Sequence, residues 1–200
     1  PKDIESNLFM YHLKQLTRAG FVTKNEQGYT LTKQGRQHAD RSNLPSMKLR
    51  LQPKQITVLV VKSGKKYVLL RRTHVPYMNC SGFPSGKLHY GEELMQSAHR
   101  ELKEKTGIDD VDLTFRGNLL MRFYDAQTGD ISSHINAYIF SGVTRLDELS
   151  FQSEFFNSYI GDESELYAKK AFKGHKEIVE LLQKNPQGIF FAEERFISDF

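Results

Sequence analysis

Apolar residues near the start of the chain follow a helical repeat and then an alternating one. On a period of about 3.6 residues, Phe9, Leu13 and Leu16 share one face, and Asn7, Tyr11, Lys14 and Arg18 share the opposite face. This spacing predicts a helix capped by Ser6, running to about Ala19 and stopped by Gly20. Its apolar face is expected to be covered and its polar stripe to meet solvent. Phe21-Val22-Thr23-Lys24 and Tyr29-Thr30-Leu31-Thr32 flank Asn25-Glu26-Gln27-Gly28, which predicts a hairpin with a glycine-bearing loop. Thr32 is placed to cap a second helix, from Lys33 to about Asp40. From Asp40 to Lys54 the pattern lapses. Ser42-Asn43-Leu44-Pro45 and Gln52-Pro53 predict a connector.

Beyond it, Ile56-Thr57-Val58-Leu59-Val60-Val61 is an apolar, β-branched run, Ser63-Gly64-Lys65 a turn, and Tyr67-Val68-Leu69-Leu70-Arg71 the return. Together they predict a buried hairpin. Further strands are expected over 111–124 and 131–141, and helices near 93–106 and 175–184. In the first of these helices Met95, Ala98 and Leu102 share a face suited to packing on a sheet. Residues 145–174 carry little pattern and are expected to form a lid or insertion. The mixture predicts an α/β (α+β) chain with a first module over 1–42, a linker over 43–54 and a main domain over 55–200.

The composition of the 200 residues, 38% hydrophobic and 26% charged, is that of an ordinary globular chain. It disfavours disorder, collagen and coiled coil. No apolar run of about 18 residues exists, so no membrane-spanning helix is expected. Nor does the chain start with charged and then apolar residues, so no signal peptide is expected. The single cysteine, Cys80, cannot form an internal disulfide, and a reducing, cytoplasmic setting is expected. Charge changes the picture more. Residues 1–54 hold ten Lys/Arg against four Asp/Glu, whereas residues 55–200 hold 18 against 20. The basic excess lies entirely in the first quarter, as in a nucleic-acid-binding module joined to a neutral body.

One segment carries chemistry. Glu101 and Glu104, three residues apart, project together from a predicted helix, while Gly107 is placed to end it. Clustered carboxylates are hard ligands suited to Mg²⁺ or Mn²⁺. Arg100 is placed to orient a carboxylate by a charge-assisted hydrogen bond. Glu92 precedes the helix and reaches it only if the intervening loop folds back. From Gly86 to Ile108 the chain resembles the Nudix box: Gly, five residues, Glu, seven residues, then Arg-Glu-apolar-any-Glu-Glu-any-Gly-apolar. Eight of nine positions match, Gly86, Glu92, Arg100, Glu101, Leu102, Glu104, Gly107 and Ile108; the departure is Lys105, where the family usually has a second Glu.

The resemblance implies a mixed sheet sandwiched by helices, and a metal-dependent pyrophosphohydrolase acting on nucleoside diphosphates linked to another group. It implies Glu101 and Glu104 as metal ligands, with Glu101 also assisting water activation, and a ligand carbonyl from Gly86. Arg100 is then a member of the catalytic group, and Glu92 and Gly107 are structural members of the box. Lys105 can instead pair with Glu101, four residues earlier.

Helix, hairpin and helix at the N-terminus resemble a winged helix-turn-helix, carried by Tyr11-His12-Leu13-Lys14-Gln15-Leu16, Ala19-Gly20-Phe21-Val22 and Tyr29-Thr30-Leu31-Thr32-Lys33-Gln34-Gly35. That resemblance implies double-stranded DNA as a partner, met by Asn7, Tyr11, Lys14 and Arg18. It also calls for earlier helices over Phe9, Leu13 and Leu16. Pro1 lies too close for them, so truncation, or cover by other surfaces such as a homodimer partner, is expected.

Other candidates read blandly. Gly82-Phe-Pro-Ser-Gly86-Lys87 is one residue short of a P-loop and has Leu88 in place of Ser/Thr. Glu154, Asp162, Glu163 and Glu165 are candidates for a further acid. Phe83, Tyr90, Phe123, Tyr124 and Tyr138 are candidates to stack a base. His12, His74, His89, His99 and His134 show no metal-ligand spacing. Two readings stand: a Mg²⁺-dependent hydrolase coupled to DNA binding, and a transcription regulator whose Nudix-like domain senses a nucleotide metabolite with little or no turnover.

Overall fold

The computed structural model describes residues 5–43 and 48–198, and the chain divides into two units, Pro1–Gln52 and Pro53–Phe200. In the first unit, α1 (Ser6–Arg18) is followed by an antiparallel pair, β1 (Val22–Asn25) and β2 (Gly28–Leu31), and by α2 (Lys33–Arg41). The cap of α1 is Glu5 rather than Ser6. Thr32 caps α2, its hydroxyl accepting from the Gly35 N–H at 3.1 Å and donating to the Gly20 carbonyl at 2.6 Å. One side chain thus ties the hairpin to both of its flanks. Asn7, Tyr11, Lys14 and Arg18 are exposed. The expected burial of the opposite face is corrected: Phe9 and Leu16 are 39% and 44% exposed, Leu13 is half-buried, and no described residue of α1 is buried.

The expected connector contains a short ladder, β3 (Ser42–Asn43) against β4 (Lys48–Leu49). Leu44 and Pro45 lie outside the described residues, as does Pro1.

The second unit is built on β5 (Lys54–Ser63) and β6 (Lys66–Arg72). The buried hairpin expected here pairs only beside its turn, at Lys62–Tyr67 and Ser63–Lys66. Further along the strands part, and two short strands enter the fork. β7 (Ser81–Gly82) pairs with β6, and β8 (Ser85–Lys87) pairs with β5, bringing Thr57 opposite Gly86. Phe83, fully buried between them, fills the fork. α3 (Leu94–Thr106) follows, then β9 (Thr114–Asp125) and β10 (Ile131–Thr144). β10 lies antiparallel to β9 and parallel to β5.

The stretch expected as a lid instead extends the sheet. β11 (Phe151–Gln152) pairs with β12 (Phe156–Gly161), which pairs with β6, and a 3₁₀ turn follows over Glu163–Tyr167. α4 (His175–Lys184) and β13 (Phe190–Ser198), parallel to β9, complete the unit.

Both faces of the sheet are covered, and alternation along β5 divides them. Val58 and Val60 join Leu69, Phe83, Ile139, Ile178 and Val179 on the α4 side. Leu59 and Val61 join Val68, Ala98, Leu102 and Phe140 on the α3 side. This explains why the run reads as continuously apolar. Leu94, rather than the expected Met95, shares the sheet-facing stripe with Ala98 and Leu102; Met95 lies one position round the helix and is 40% exposed. No helix among the described residues is long and apolar enough to cross a membrane.

Candidate functional site

The fork in the sheet sets β8 against α3, and the contact is closer than any side chain but hydrogen allows. A Cβ on Gly86 would fall 1.8 Å from the Glu101 carboxyl group. Glu101 therefore occupies the volume that a side chain at 86 would fill. It is 4% exposed, and its Oε1 accepts from Arg100 Nη1 at 2.7 Å. Its Oε2 is buried and accepts no hydrogen bond. Thr57, the ladder partner of Gly86, is also fully buried, and its hydroxyl has no hydrogen-bond partner among the described residues.

Arg100 gathers the acids of this segment. It grips Glu92 with both nitrogens of one edge, Nε to Oε1 at 2.6 Å and Nη2 to Oε2 at 2.9 Å. A further donor reaches Glu104 at 3.3 Å and another the Lys87 carbonyl at 3.2 Å. The loop before α3 does fold back: the His89 N–H donates to Glu92 at 3.0 Å, and Gly91 turns with φ +81°. Donating to Glu92, Arg100 holds that carboxyl down at about 2, and its bonds to Glu92 and then to Glu101 raise Arg100 itself above its ordinary range. Gly107 ends α3 with φ +74°, a left-handed cap that favours glycine.

Lys105 lies 3.7 Å from Glu101 Oε2 and 4.9 Å from the centre of the Phe156 ring. Glu104 is half-exposed. Among the described residues no three His, Cys, Asp or Glu cluster as a ready cage. The donor set is smaller: an undonated buried oxygen of Glu101 and the open carboxylate of Glu104. Carboxylate oxygens of this kind are the hard donors that suit Mg²⁺, which usually takes only one or two carboxylates and keeps water and phosphate as its other ligands.

Beside this segment the second unit holds a cavity of about 630 Å³. Its lining includes Ser85 and Lys105, four further cations, Lys54, Arg72, Lys169 and Lys173, and no Asp or Glu. Aromatic rings from Tyr77, Phe123, Phe155, Phe156 and Phe172 complete the wall. Of the aromatic candidates, Phe123 lines the cavity, Phe83 is core, Tyr138 donates to Gln55 at 3.0 Å, and Tyr90 is largely exposed. The acid candidates lie elsewhere: Glu163 accepts from the Tyr67 hydroxyl at 3.1 Å, and Glu165 from Tyr159 at 2.6 Å and Arg71 at 3.1 Å.

Reasoning from the sequence missed Arg72, Lys169, Lys173, Phe155, Phe156 and Phe172. Most of these lie in the stretch without periodicity, where only the Phe155-Phe156 pair and the closely spaced lysines gave a signal.

It also missed His175. This side chain stacks on Phe83, with ring centroids 5.4 Å apart, and borders the cavity. Its Nδ1 accepts from the Phe83 N–H at 2.8 Å, which fixes the neutral ring with the proton on Nε2. Burial pushes its pKa down from 6.5 to about 4. Between these values the unfolded chain binds the proton and the folded chain does not. Stability from this group is therefore intact above about pH 6.5 and is lost as pH falls toward 4, by on the order of 3 kcal/mol. In urea unfolding measured from pH 7 to 4, His175→Asn, which keeps an acceptor for Phe83, is expected to show a shallower loss than the natural chain. Equal slopes would contradict the assignment.

Comparison with known proteins agrees with this architecture. Over 122 residues the chain is 24% identical to the ADP-ribose pyrophosphatase of Methanocaldococcus jannaschii, a match covering 58% of this chain and 69% of that protein. The mutator MutT protein of Bacillus halodurans has a similar fold, with a TM-score of 0.58 at 19% identity, covering 74% of this chain and 92% of that one. So does the NUDIX domain of Shewanella oneidensis NrtR, solved in complex with ADP ribose, with a TM-score of 0.56 at 15% identity, covering 78% and 100%. The NUDIX domain model matches residues 52–182, which contain the fork, the box helix and the cationic cavity's β12 wall, and on that match the chain belongs to the NUDIX family.

Proposed function

We propose that the second unit is a Mg²⁺- or Mn²⁺-dependent pyrophosphohydrolase for a nucleoside diphosphate linked to another group, of which ADP-ribose is the first candidate. The observation that carries this reading is the pairing of a buried, undonated Glu101 oxygen with a neighbouring cavity that has five cations and no acid in its lining. A diphosphate needs that positive field, and its nucleoside can rest on the aromatic wall. A divalent ion, when bound, would neutralise the diphosphate and favour attack by water.

The chain's own residues would do the rest. Arg100 and Gly86 hold Glu101 in one position, Glu101 and Glu104 offer oxygens to the ion, and Lys105 and the cavity cations orient the phosphates. Water would form a new bond to phosphorus as the anhydride bond breaks. With ADP-ribose the products would be AMP and ribose 5-phosphate, the proton passing through a carboxylate to solvent. The relative from Methanocaldococcus jannaschii, an ADP-ribose pyrophosphatase, and the NrtR domain solved with ADP ribose support the choice of substrate.

One observation favours a second reading. Lys105 pairs with Glu101, and this suits a domain that binds the nucleotide without cleaving it. The exposed stripe of Asn7, Tyr11, Lys14 and Arg18 in the first unit supports double-stranded DNA as that regulator's target. A panel of nucleoside diphosphate derivatives, assayed for both binding and cleavage with Mg²⁺ and with Mn²⁺, separates the two. Cleavage of at least one compound supports the enzyme; binding without cleavage, with a bound compound altering DNA affinity, supports the regulator.

A further inference from the structure

We propose that Lys105 binds the ligand's diphosphate directly, its ammonium serving as a built-in cation, so that the nucleotide binds this chain without a divalent metal. The proposal rests on the reading of the cavity as a nucleoside diphosphate site. Lys105 is held from two sides by different parts of the fold. Glu101, one turn back on α3, sets its carboxylate 3.7 Å from Nζ, and Phe156 on β12 sets its ring 4.9 Å away. The side chain is only 26% exposed, and what remains open borders the cavity.

The contact with Glu101 is too long for a hydrogen bond, and an ammonium over a ring face uses none of its three donors in one. Those donors remain available to a phosphate. An ammonium that faces a carboxylate on one side and a phosphate on the other is attracted to both.

The neighbouring cations point the same way. Lys54 donates to the Ser133 hydroxyl, Arg72 to the His74 carbonyl, and Lys173 to the Ile197 carbonyl. These partners are neutral and no Asp or Glu lines the cavity, so among the described residues these three cations meet no counter-charge in its wall. The lysine that departs from the family pattern is therefore a gain of binding charge as well as the loss of a ligand carboxylate.

Calorimetric titration with ADP-ribose, in EDTA and in Mg²⁺, tests this on the natural chain, Lys105→Met and Lys105→Arg. The natural chain is expected to bind in EDTA. Lys105→Met, of similar length and without charge, is expected to lose about tenfold or more in affinity there. Added Mg²⁺ is expected to narrow the gap, and Lys105→Arg to retain metal-free binding. A purely structural lysine would weaken binding equally with and without metal. Equal affinity of the natural chain and Lys105→Met in EDTA overturns the proposal. Binding of the natural chain only with Mg²⁺ overturns it too, while leaving the hydrolase reading intact. No binding under either condition removes both.

Discussion

Glu101→Gln is expected to lower turnover of a nucleoside diphosphate substrate by at least about a hundredfold and to leave the chain folded. The substitution keeps the shape that fills the space beside Gly86. Its carboxamide oxygen can still accept from Arg100 Nη1, and Arg100 retains its two bonds to Glu92. The other carboxylate oxygen, which accepts nothing and lies 3.7 Å from Lys105, becomes an NH₂ group facing an ammonium. The site then loses its buried negative charge, and with it one of its two carboxylates for a divalent ion and a group able to take a proton from water. The stability cost is expected to be about 1–2 kcal/mol, because the ion pairs with Arg100 and Lys105 are weakened but no cavity opens. Glu104→Gln, at a half-exposed position, is expected to cost no more than about 0.5 kcal/mol. Product chromatography gives the turnover and urea unfolding gives the stability. Turnover within threefold of the natural chain would remove Glu101 from the mechanism.

Gly86→Ala is expected to abolish turnover as fully, by a different route. The new Cβ would lie 1.8 Å from the Glu101 carboxyl, so either the carboxylate or the strand has to move. The carboxylate is the end of a side chain and moves more easily than β8, which is paired to β5 across Thr57. Moving it costs the bond from Arg100 and takes the Glu101 oxygens out of the place beside Gly86 that they occupy in the natural chain. Overpacking of this kind typically costs about 1–3 kcal/mol. The variant is therefore expected to fold and to have lost its site. A melting temperature a few degrees lower, with turnover at background, is the expected pair of results. Retained turnover would mean that the close approach of Glu101 to Gly86 is not needed for chemistry.

These two residues also show what could be read along the chain. Glu101, Glu104, Arg100 and Gly107 stand at helical spacings, so a local repeat was enough to put the acids together and to end the helix. The need for glycine at 86 depends on a strand entering the fork between β5 and β6. That is a long-range pairing, and no local pattern at 82–87 reports it. The same holds for β12: its residues pair with β6, 84 to 94 positions earlier, and read locally as unpatterned. His175 was hidden differently. One histidine at the start of a helix carries no periodic signal, and its importance comes from the Phe83 N–H it accepts. The apolar face of α1 misled in the other direction, because its periodicity is genuine while Phe9 and Leu16 are 39% and 44% exposed.

Whether the second unit is a metal-dependent pyrophosphohydrolase is tested most directly by the Mg²⁺ dependence of ADP-ribose cleavage by the natural chain, with the products identified. AMP and ribose 5-phosphate are expected in equal amounts, formed with added Mg²⁺ or Mn²⁺ and at background in EDTA. No cleavage of ADP-ribose or any related diphosphate at any metal concentration, by a folded chain that binds the nucleotide, would contradict the hydrolase reading.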